Sequence, residues 1–293
     1  MRTYFFGDIH GNGAALEACL KHLDAQRVDE ACCLGDLVGW LPFGDRTLNR
    51  MRSLNLPCVA GNHDLLVAGT FTDHPDQLDR MQASAYNGGL LSTIPGAIDY
   101  LSSLPLVLER DDFVVAHHSP FHLPGPGENP TIESFNYLDE AALTACLEAW
   151  RAYPKRLIFS GHDHVPTVHE LPDTPEKPRF EDVNIYRPSR DKHLTVRLNP
   201  HCRYWIKAAS VGGPYRDGVP MANSVLYDSS SGTVTLFRLP YPTEQLFREL
   251  ASHHFCRNLP TMQRYMDLLR RHEQSQGAVQ AWDLREVPRV RSE

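Results

Sequence analysis

Residues that can bind metal ions occur in this sequence at one repeated place, directly after a short apolar run and in most cases beside a glycine. The first example is the run Tyr4–Phe6, which is followed by Gly7-Asp8-Ile9-His10. Four more examples lie further along the chain, at Gly35-Asp36, Gly61-Asn62-His63-Asp64, His117 and Gly161-His162-Asp163-His164. Short apolar runs bounded by such turns are typical of buried strands. Because the carboxyl ends of neighbouring strands in an α/β protein lie along one edge, we expect these side chains to converge on one crevice.

The spacing of the apolar residues supports an α/β fold in which strands alternate with helices. Strands are predicted at Tyr4–Phe6, Ala31–Leu34, Cys58–Ala60, Phe113–Ala116, Arg156–Phe159, Tyr204–Ala208, Asn223–Tyr227 and Thr233–Leu239, and helices at Ala14–Ala25, Asp45–Arg52, Leu78–Ser92, Tyr137–Ala149, Thr243–His253 and Pro260–Arg271. Two proline-rich stretches, Pro120–Pro130 and Pro166–Pro200, lack periodicity and are predicted to be surface loops or insertions. We expect one domain made of two mixed sheets that pack face to face and are covered by helices.

The overall composition narrows the class of protein. Of the 293 residues, 42% are hydrophobic, which is enough for a sizeable core. The net charge of −7 is spread without long basic runs, so an extended nucleic-acid groove and an anionic membrane surface are both disfavoured. The sequence shows neither a signal-peptide core nor a membrane span, and its seven cysteines are an odd set without CxxC pairs. Together these features predict a cytoplasmic protein.

The motifs contain side chains suited to a metal cluster: Asp8, His10, Asp36, Asn62, His117, His162 and His164. Seven ligands are the number needed for two metal ions that share one bridging carboxylate. Because the set has oxygen and imidazole donors and no thiolate, it suits two divalent transition-metal ions, Mn²⁺, Fe or Zn²⁺, better than Ca²⁺ or an iron–sulfur cluster. Two such cations can hold a bridging hydroxide and clamp a phosphate during in-line displacement, so phosphoryl transfer is the predicted chemistry.

These motifs, in this order, resemble the five motifs of the calcineurin-like metallophosphoesterase superfamily. Further segments are similar to a bacterial branch of small phosphoesterases and phosphodiesterases, namely Gly35–Trp40, Ser103-Leu104-Pro105, His117-His118-Ser119-Pro120 and Ser210–Gly218. The resemblance covers residues 1–240 and implies the family's four-layer α-β-β-α sandwich, with residues 241–293 as a helical extension packed on it and a tail that frays. The chain departs from the branch at Lys207-Ala208-Ala209, where Asn-Pro-Gly is usual.

The resemblance also implies a role for each ligand. One metal ion would be held by Asp8, His10 and His164 and the other by Asn62, His117 and His162, with Asp36 bridging them. His63 matches the family's non-ligand histidine, which stabilises the transition state or protonates the leaving group as a general acid. The implied substrate is a small phosphate ester, monoester or diester, with a nucleotide among the candidates. Formation of a homo-oligomer is left open.

Two assignments of site residues have alternatives at this point. Asp64 either orients His63 or caps the following helix. Arg216 lies in a loop that the family places at the edge of the active site. It either contacts a substrate phosphate through its planar guanidinium or pairs with Asp217 or solvent.

The ligand of the fourth motif has one competitor, because the next residue is His118, where the family usually has a small side chain. Strand alternation lets one imidazole point inward, and the match to Ser119-Pro120 selects His117. Three aromatic residues, Trp40, Phe43 and Phe121, either line a base-stacking surface or are ordinary packing.

Two other functions compete with a small-molecule phosphoesterase. A protein serine/threonine phosphatase or a dinucleoside polyphosphate hydrolase of the same superfamily typically carries Asp-Arg-Gly after the second motif, where this chain has Gly39-Trp40-Leu41. A non-catalytic scaffold on the same fold, such as the retromer subunit, lacks key catalytic residues, whereas this sequence keeps His63 and all seven ligand types. The sequence therefore favours a metal-dependent phosphatase or phosphodiesterase.

Overall fold

Two β-sheets face each other at the centre of the protein. The computed structural model describes residues 1–72, 77–125, 128–174, 176–190 and 192–275. Within these ranges the strands are β1 (Arg2–Phe6), β2 (Glu30–Cys33), β3 (Val107–Glu109), β4 (Phe113–Ala116), β5 (Leu157–Ser160), β6 (Thr167–Pro172), β7 (Asn184–Tyr186), β8 (Leu194–Arg197), β9 (Cys202–Lys207), β10 (Ala222–Asp228) and β11 (Thr233–Leu239). The helices are α1 (Gly13–Ala25), α2 (Gly44–Leu54), α3 (Asn62–Ala68), α4 (Leu78–Leu91), α5 (Ala97–Ser103), α6 (Glu140–Ala152), α7 (Thr243–Ser252) and α8 (Pro260–Ser275).

Both sheets contain parallel and antiparallel strand pairs. The first has the order β2-β1-β10-β11-β8, in which β1 and β2 are parallel and the other neighbours are antiparallel. The second has the order β3-β4-β5-β9-β6-β7, with β4, β5 and β9 running parallel. The predicted fold class of two mixed sheets is therefore confirmed.

The core between the sheets is built on alternate residues of the strands. Phe5 of β1 stacks on Phe159 of β5, with ring centroids 3.8 Å apart, and meets Phe113 of β4 edge-on at 5.3 Å. Its neighbours Tyr4 and Phe6 point to the other face of the first sheet and pack under helices such as α1. Strands buried on both faces read as continuous apolar runs, which explains the sequence pattern of β1.

The outer face of the second sheet is covered by α6, which completes four layers. Leu143, Leu147 and Trp150 of this helix pack against Ile158 and Trp205 of the sheet. The helix begins at Glu140 because the Asp139 side chain accepts a hydrogen bond from the Ala142 amide at 2.7 Å. Its start is therefore three residues later than the periodicity predicts.

The two C-terminal helices pack on the layer that contains α1 and α2. Leu246 and Leu250 of α7 and Tyr265 and Leu269 of α8 are buried in the same cluster as Tyr215. Residues 276–293, where we predict a frayed tail, lie outside the described residues. No helix in the described ranges is both long and apolar enough to cross a bilayer.

Two predictions about local structure are wrong. The stretch Pro166–Pro200 is not a surface loop throughout, because it contains β6, β7 and β8, and β6 pairs with β9 over six residues. Its strands are short, and β6 and β8 pair with β9 and β11 further along the chain while β7 pairs with β6, so local periodicity reveals neither the strands nor their pairing. Conversely, Cys58–Ala60 forms only an isolated bridge to β2, at Cys33, before the chain turns at Gly61.

Candidate metal centre

The predicted ligands meet at the carboxyl ends of four strands. Asp8 and His10 follow β1, Asp36 follows β2, His117 follows β4, and His162 and His164 follow β5, while Asn62 begins α3. Each of the seven side chains is at most 6% exposed. Burying this many ionisable groups costs free energy unless they are paired or coordinate a cation. The convergence that the sequence predicts is therefore found, in a site shielded from water.

One group of these side chains surrounds the carboxylate of Asp8. His164 Nε2 lies 3.0 Å from Asp8 Oδ1 and 3.2 Å from His10 Nε2. His10 Nε2 lies 3.5 Å from Asp36 Oδ2. One ligand atom from each of these four residues falls within 4.8 Å of the others, a spacing that one metal ion can bridge.

A second group surrounds the side-chain oxygen of Asn62. This Oδ1 atom lies 3.2 Å from His117 Nε2 and 3.0 Å from His162 Nδ1. The two ring nitrogens are 3.3 Å apart, and His117 Nε2 lies 3.2 Å from Asp36 Oδ2. Asp36 Oδ2 therefore faces both groups, one on each side.

Backbone carbonyls hold the outward nitrogen of all four imidazoles. The pairs are His10 Nδ1 with Val38 O at 3.2 Å, His117 Nδ1 with Leu34 O at 2.6 Å, His162 Nε2 with Phe135 O at 2.8 Å and His164 Nδ1 with Pro214 O at 2.7 Å. A carbonyl only accepts, so each outward nitrogen carries a proton and, in the neutral ring, the inward nitrogen presents a lone pair. Lone pairs 3.2–3.3 Å apart repel unless a cation lies between them. The donor set therefore fits bound metal ions.

The protonation states of the ligand histidines are also consistent with bound metal ions. Burial, together with the neighbouring histidines, lowers the pKa of His10 and His162 well below the usual range, so both rings are neutral. Burial also opposes a charge on His117, but the Asp36 carboxylate outweighs it and raises the pKa of His117 to about 10. The negative charge of Asp36 thus favours a positive charge at this ring, and a bound cation would supply it in place of the proton.

Five of the seven side chains come from residues with a left-handed backbone. The φ angles are 52° at Asp8, 51° at His10, 53° at Asp36, 70° at His162 and 57° at His164. Such conformations are strained for residues other than glycine and concentrate at functional sites. The neighbouring glycines clear space for carboxylates, because a Cβ on Gly61 would collide with Asp36 Oδ1 and one on Gly161 with Asp8 Oδ2.

His63 lies against the first group of side chains without joining it. Its ring meets that of His10 edge-on at 4.7 Å and lies 5.3 Å from Trp40. The side chain is 3% exposed, and its Nδ1 has no hydrogen-bond partner among the described residues. Burial lowers the pKa of His63 well below the usual range, against the opposing effect of Asp36.

Asp64 makes the contacts of a capping residue. Its Oδ2 accepts from the Gly61 amide at 3.0 Å and its Oδ1 accepts from the Leu37 amide at 2.8 Å. The sequence left two roles open for Asp64, and these two contacts are those of a helix cap. Neither contact involves His63. The same carboxylate ties the loop that carries Asp36 to the turn that carries Asn62.

Arg216 lies at the rim of the site. Its guanidinium sits 3.8 Å above the ring of Tyr137, which in turn stacks on His162 with centroids 5.0 Å apart. Asp217, the partner considered for Arg216, forms an ion pair with Arg238 at 2.7 Å. His118 is buried with its ring 6.1 Å from Trp205, on the outer side of the second sheet.

A buried ion pair that the sequence did not predict lies behind the site. Lys207, at the end of β9, is 1% exposed and pairs with Asp163, which stands between His162 and His164. Asp163 Oδ1 also accepts from the Leu138 amide at 3.0 Å. The available signal was a lysine at the end of an apolar run, because a charge in that position needs a buried partner.

Comparison with known proteins connects this geometry to a family. A model of the calcineurin-like phosphoesterases matches residues 1–166, which include all seven side chains of the two groups. The chain is 26% identical over 254 residues to an uncharacterised protein of Methanocaldococcus jannaschii, covering 84% of this chain and 90% of that one. It is 30% identical over 120 residues to a symmetrical bis(5'-nucleosyl)-tetraphosphatase of Vibrio parahaemolyticus, covering 40% of this chain and 44% of the relative.

A solved structure shares the architecture. The crystal structure of a metallophosphoesterase from Sphaerobacter thermophilus superposes with a TM-score of 0.69 at 28% identity, covering 92% of this chain and 99% of that chain. The matched family model spans more than half of the 293 residues. The chain therefore belongs to the calcineurin-like phosphoesterase family.

Proposed function

We propose that the protein is a dinuclear metal-dependent hydrolase of phosphate esters. One divalent cation would be held by Asp8, His10 and His164. The other would be held by Asn62, His117 and His162. Asp36 would bind both cations. The observation that carries the proposal is the position of Asp36, whose Oδ2 lies 3.5 Å from His10 Nε2 and 3.2 Å from His117 Nε2. The oxygen and imidazole donors suit Mn²⁺, Fe or Zn²⁺.

When bound, two such cations supply an acidified water and positive charge for the phosphate oxygens. The chain's own residues prepare the site. Four backbone carbonyls fix the tautomer of the ligand imidazoles, and burial excludes bulk water. His63 would serve as general acid, since an anionic ester beside its buried ring raises its low pKa and favours uptake of the proton that the leaving oxygen needs.

Dinucleoside polyphosphate hydrolysis is the second candidate. The similarity to the symmetrical bis(5'-nucleosyl)-tetraphosphatase favours it, although that similarity covers 40% of this chain. Against it stands Gly39-Trp40-Leu41, where such hydrolases typically carry Asp-Arg-Gly. We rank hydrolysis of a simpler phosphomonoester or phosphodiester first for this reason.

The experiment compares metal content and turnover in two variants. Wild-type protein should contain close to two transition-metal ions per chain and cleave bis-p-nitrophenyl phosphate. His63→Asn should keep the metal and lose turnover, whereas Asp36→Asn should lose both. Loss of metal in His63→Asn would mean that this residue is a ligand. Metal-loaded wild-type protein that cleaves neither monoesters nor diesters would refute the enzymatic proposal and favour a scaffold.

A further inference from the structure

A cavity of about 210 Å³ lies beside the proposed metal centre. Asn62 forms part of its wall. Phe135 and Tyr137 form another part, and their rings lie 6.1 Å and 5.0 Å from that of His162. The cavity therefore adjoins the group formed by Asn62, His117 and His162, rather than the group formed by Asp8, His10 and His164.

Apart from the aliphatic Ile132, the lining of this cavity combines three kinds of side chain. Phe71 and Phe135 supply aromatic surface and meet edge-on at 5.3 Å, while Tyr137, whose ring faces contact Arg216 and His162, supplies its edge. Gln77 and Asn136 supply amides, which donate and accept hydrogen bonds. Arg80 is the one charged residue among the lining residues that the structure describes. Aromatic surface, amides and a guanidinium together suit a flat heteroaromatic ring attached to an anionic group.

The volume limits what this cavity can take. Pockets for drug-sized ligands measure about 300–1,000 Å³, so a cavity of about 210 Å³ accepts a fragment of the substrate. One ring system fits this description, whereas a folded protein segment does not.

The position of His63 decides which part of the ester faces the cavity. The His63 ring contacts His10 and Trp40, on the other half of the site. A general acid must lie beside the leaving oxygen, so the leaving group faces His63. The substituent that stays on phosphorus then points away from His63, toward Asn62 and the cavity.

We infer that this cavity is a subsite for a nucleoside-type substituent, which is a flat ring with a hydrogen-bonding edge, on the part of a phosphodiester that the enzyme retains. The inference rests on the proposed function and adds a substrate class to it. Residues outside the ligand motifs, on α4 and in the segment before α6, would then select the substrate.

Binding of products tests the inference without turnover. Thymidine 5'-monophosphate should bind the metal-loaded protein at least about tenfold more tightly than methyl phosphate, because stacking of one base on aromatic side chains supplies a factor of that order. Asn136→Trp and Gln77→Trp each place a large ring at the cavity from a different segment of the chain and should remove the difference. Both residues are exposed at the cavity surface. Glu133→Trp, an exposed neighbour that does not line the cavity, is the matched control and should keep the difference.

Turnover separates this inference from the proposed function. Thymidine 5'-p-nitrophenyl phosphate and methyl p-nitrophenyl phosphate share a leaving group, so a higher kcat/KM for the first reports the retained substituent. Gln77→Trp should lower kcat/KM for the nucleoside ester by about tenfold and leave the methyl ester near wild type, because Gln77 lies away from the segment of residues 135–137 that contacts His162. Equal binding of both products, or an unchanged difference in both tryptophan variants, would overturn the subsite. Failure to cleave either ester while the binding difference persists would overturn the hydrolase and leave the subsite standing.

Discussion

Replacing Lys207 by Met should destabilise the protein by about 3–5 kcal/mol, the cost of removing one partner from a buried ion pair. Lys207 and Asp163 have side chains only 2% and 13% exposed, so the remaining carboxylate cannot be rehydrated without opening the fold. Burial opposes ionisation of Asp163, but Lys207 outweighs it and lowers the pKa of Asp163 to about 2 from an ordinary 3.8. That depression alone corresponds to about 2 kcal/mol, at 1.36 kcal/mol per pH unit.

The pH dependence of this loss follows from the direction of the pKa shift. Because the pKa of Asp163 is lower in the folded protein, the pair contributes its full stability above pH 3.8 and loses it as the pH falls toward 2. The stability difference between wild type and Lys207→Met should therefore be largest near neutral pH and shrink below pH 4.

Urea unfolding followed by circular dichroism measures the loss. Arg50→Met is the matched control, because Arg50 and Glu17 form an ion pair at 2.8 Å with side chains 42% and 59% exposed. An exposed pair contributes at most about 1 kcal/mol. The double variant Lys207→Met, Asp163→Asn should recover part of the stability, since it removes the unpaired charge and keeps an acceptor for the Leu138 amide. Equal losses in Lys207→Met and Arg50→Met, at every pH, would refute the reasoning.

Three further perturbations probe the site. Gly161→Ala should sharply reduce metal content measured by mass spectrometry, since its Cβ would collide with Asp8 Oδ2, whereas Gly89→Ala, at a position with open space around the Cβ, should not. Asp64→Ala should cost about 1–2 kcal/mol in urea unfolding, as for loss of a helix cap, and should also weaken metal binding because the loop carrying Asp36 loses its tie to Gly61. An Asp64→Ala protein with normal stability would contradict the capping role. Chelation should lower the melting temperature of the metal-loaded protein, because ligands bound only to the folded state stabilise it, and Mn²⁺ should restore it; an unchanged melting temperature would argue against a resident metal.

Much of the site was predictable because its ligand residues follow the strands closely in the sequence. Asp8, Asp36 and His117 each follow an apolar run directly, and strand ends in an α/β fold share an edge. Helix boundaries were harder to predict, since the start of α6 depends on a single hydrogen bond from the Ala142 amide to Asp139. The strands inside residues 166–200 were missed because β6 and β8 pair with segments distant in the chain and β7, only three residues long, pairs with β6.

The sequence by itself determined the fold class, the family motifs and the identity of the seven candidate ligands, because residue type and spacing record local requirements of strands, turns and metal donors. The tertiary structure decided which lone pairs face each other, that Asp64 caps a helix, and that Lys207 meets Asp163. It also decided that aromatic and amide side chains of separate segments enclose a cavity beside Asn62. These relations depend on distances between residues far apart in the chain, and such distances exist only once the sheets and helices have packed.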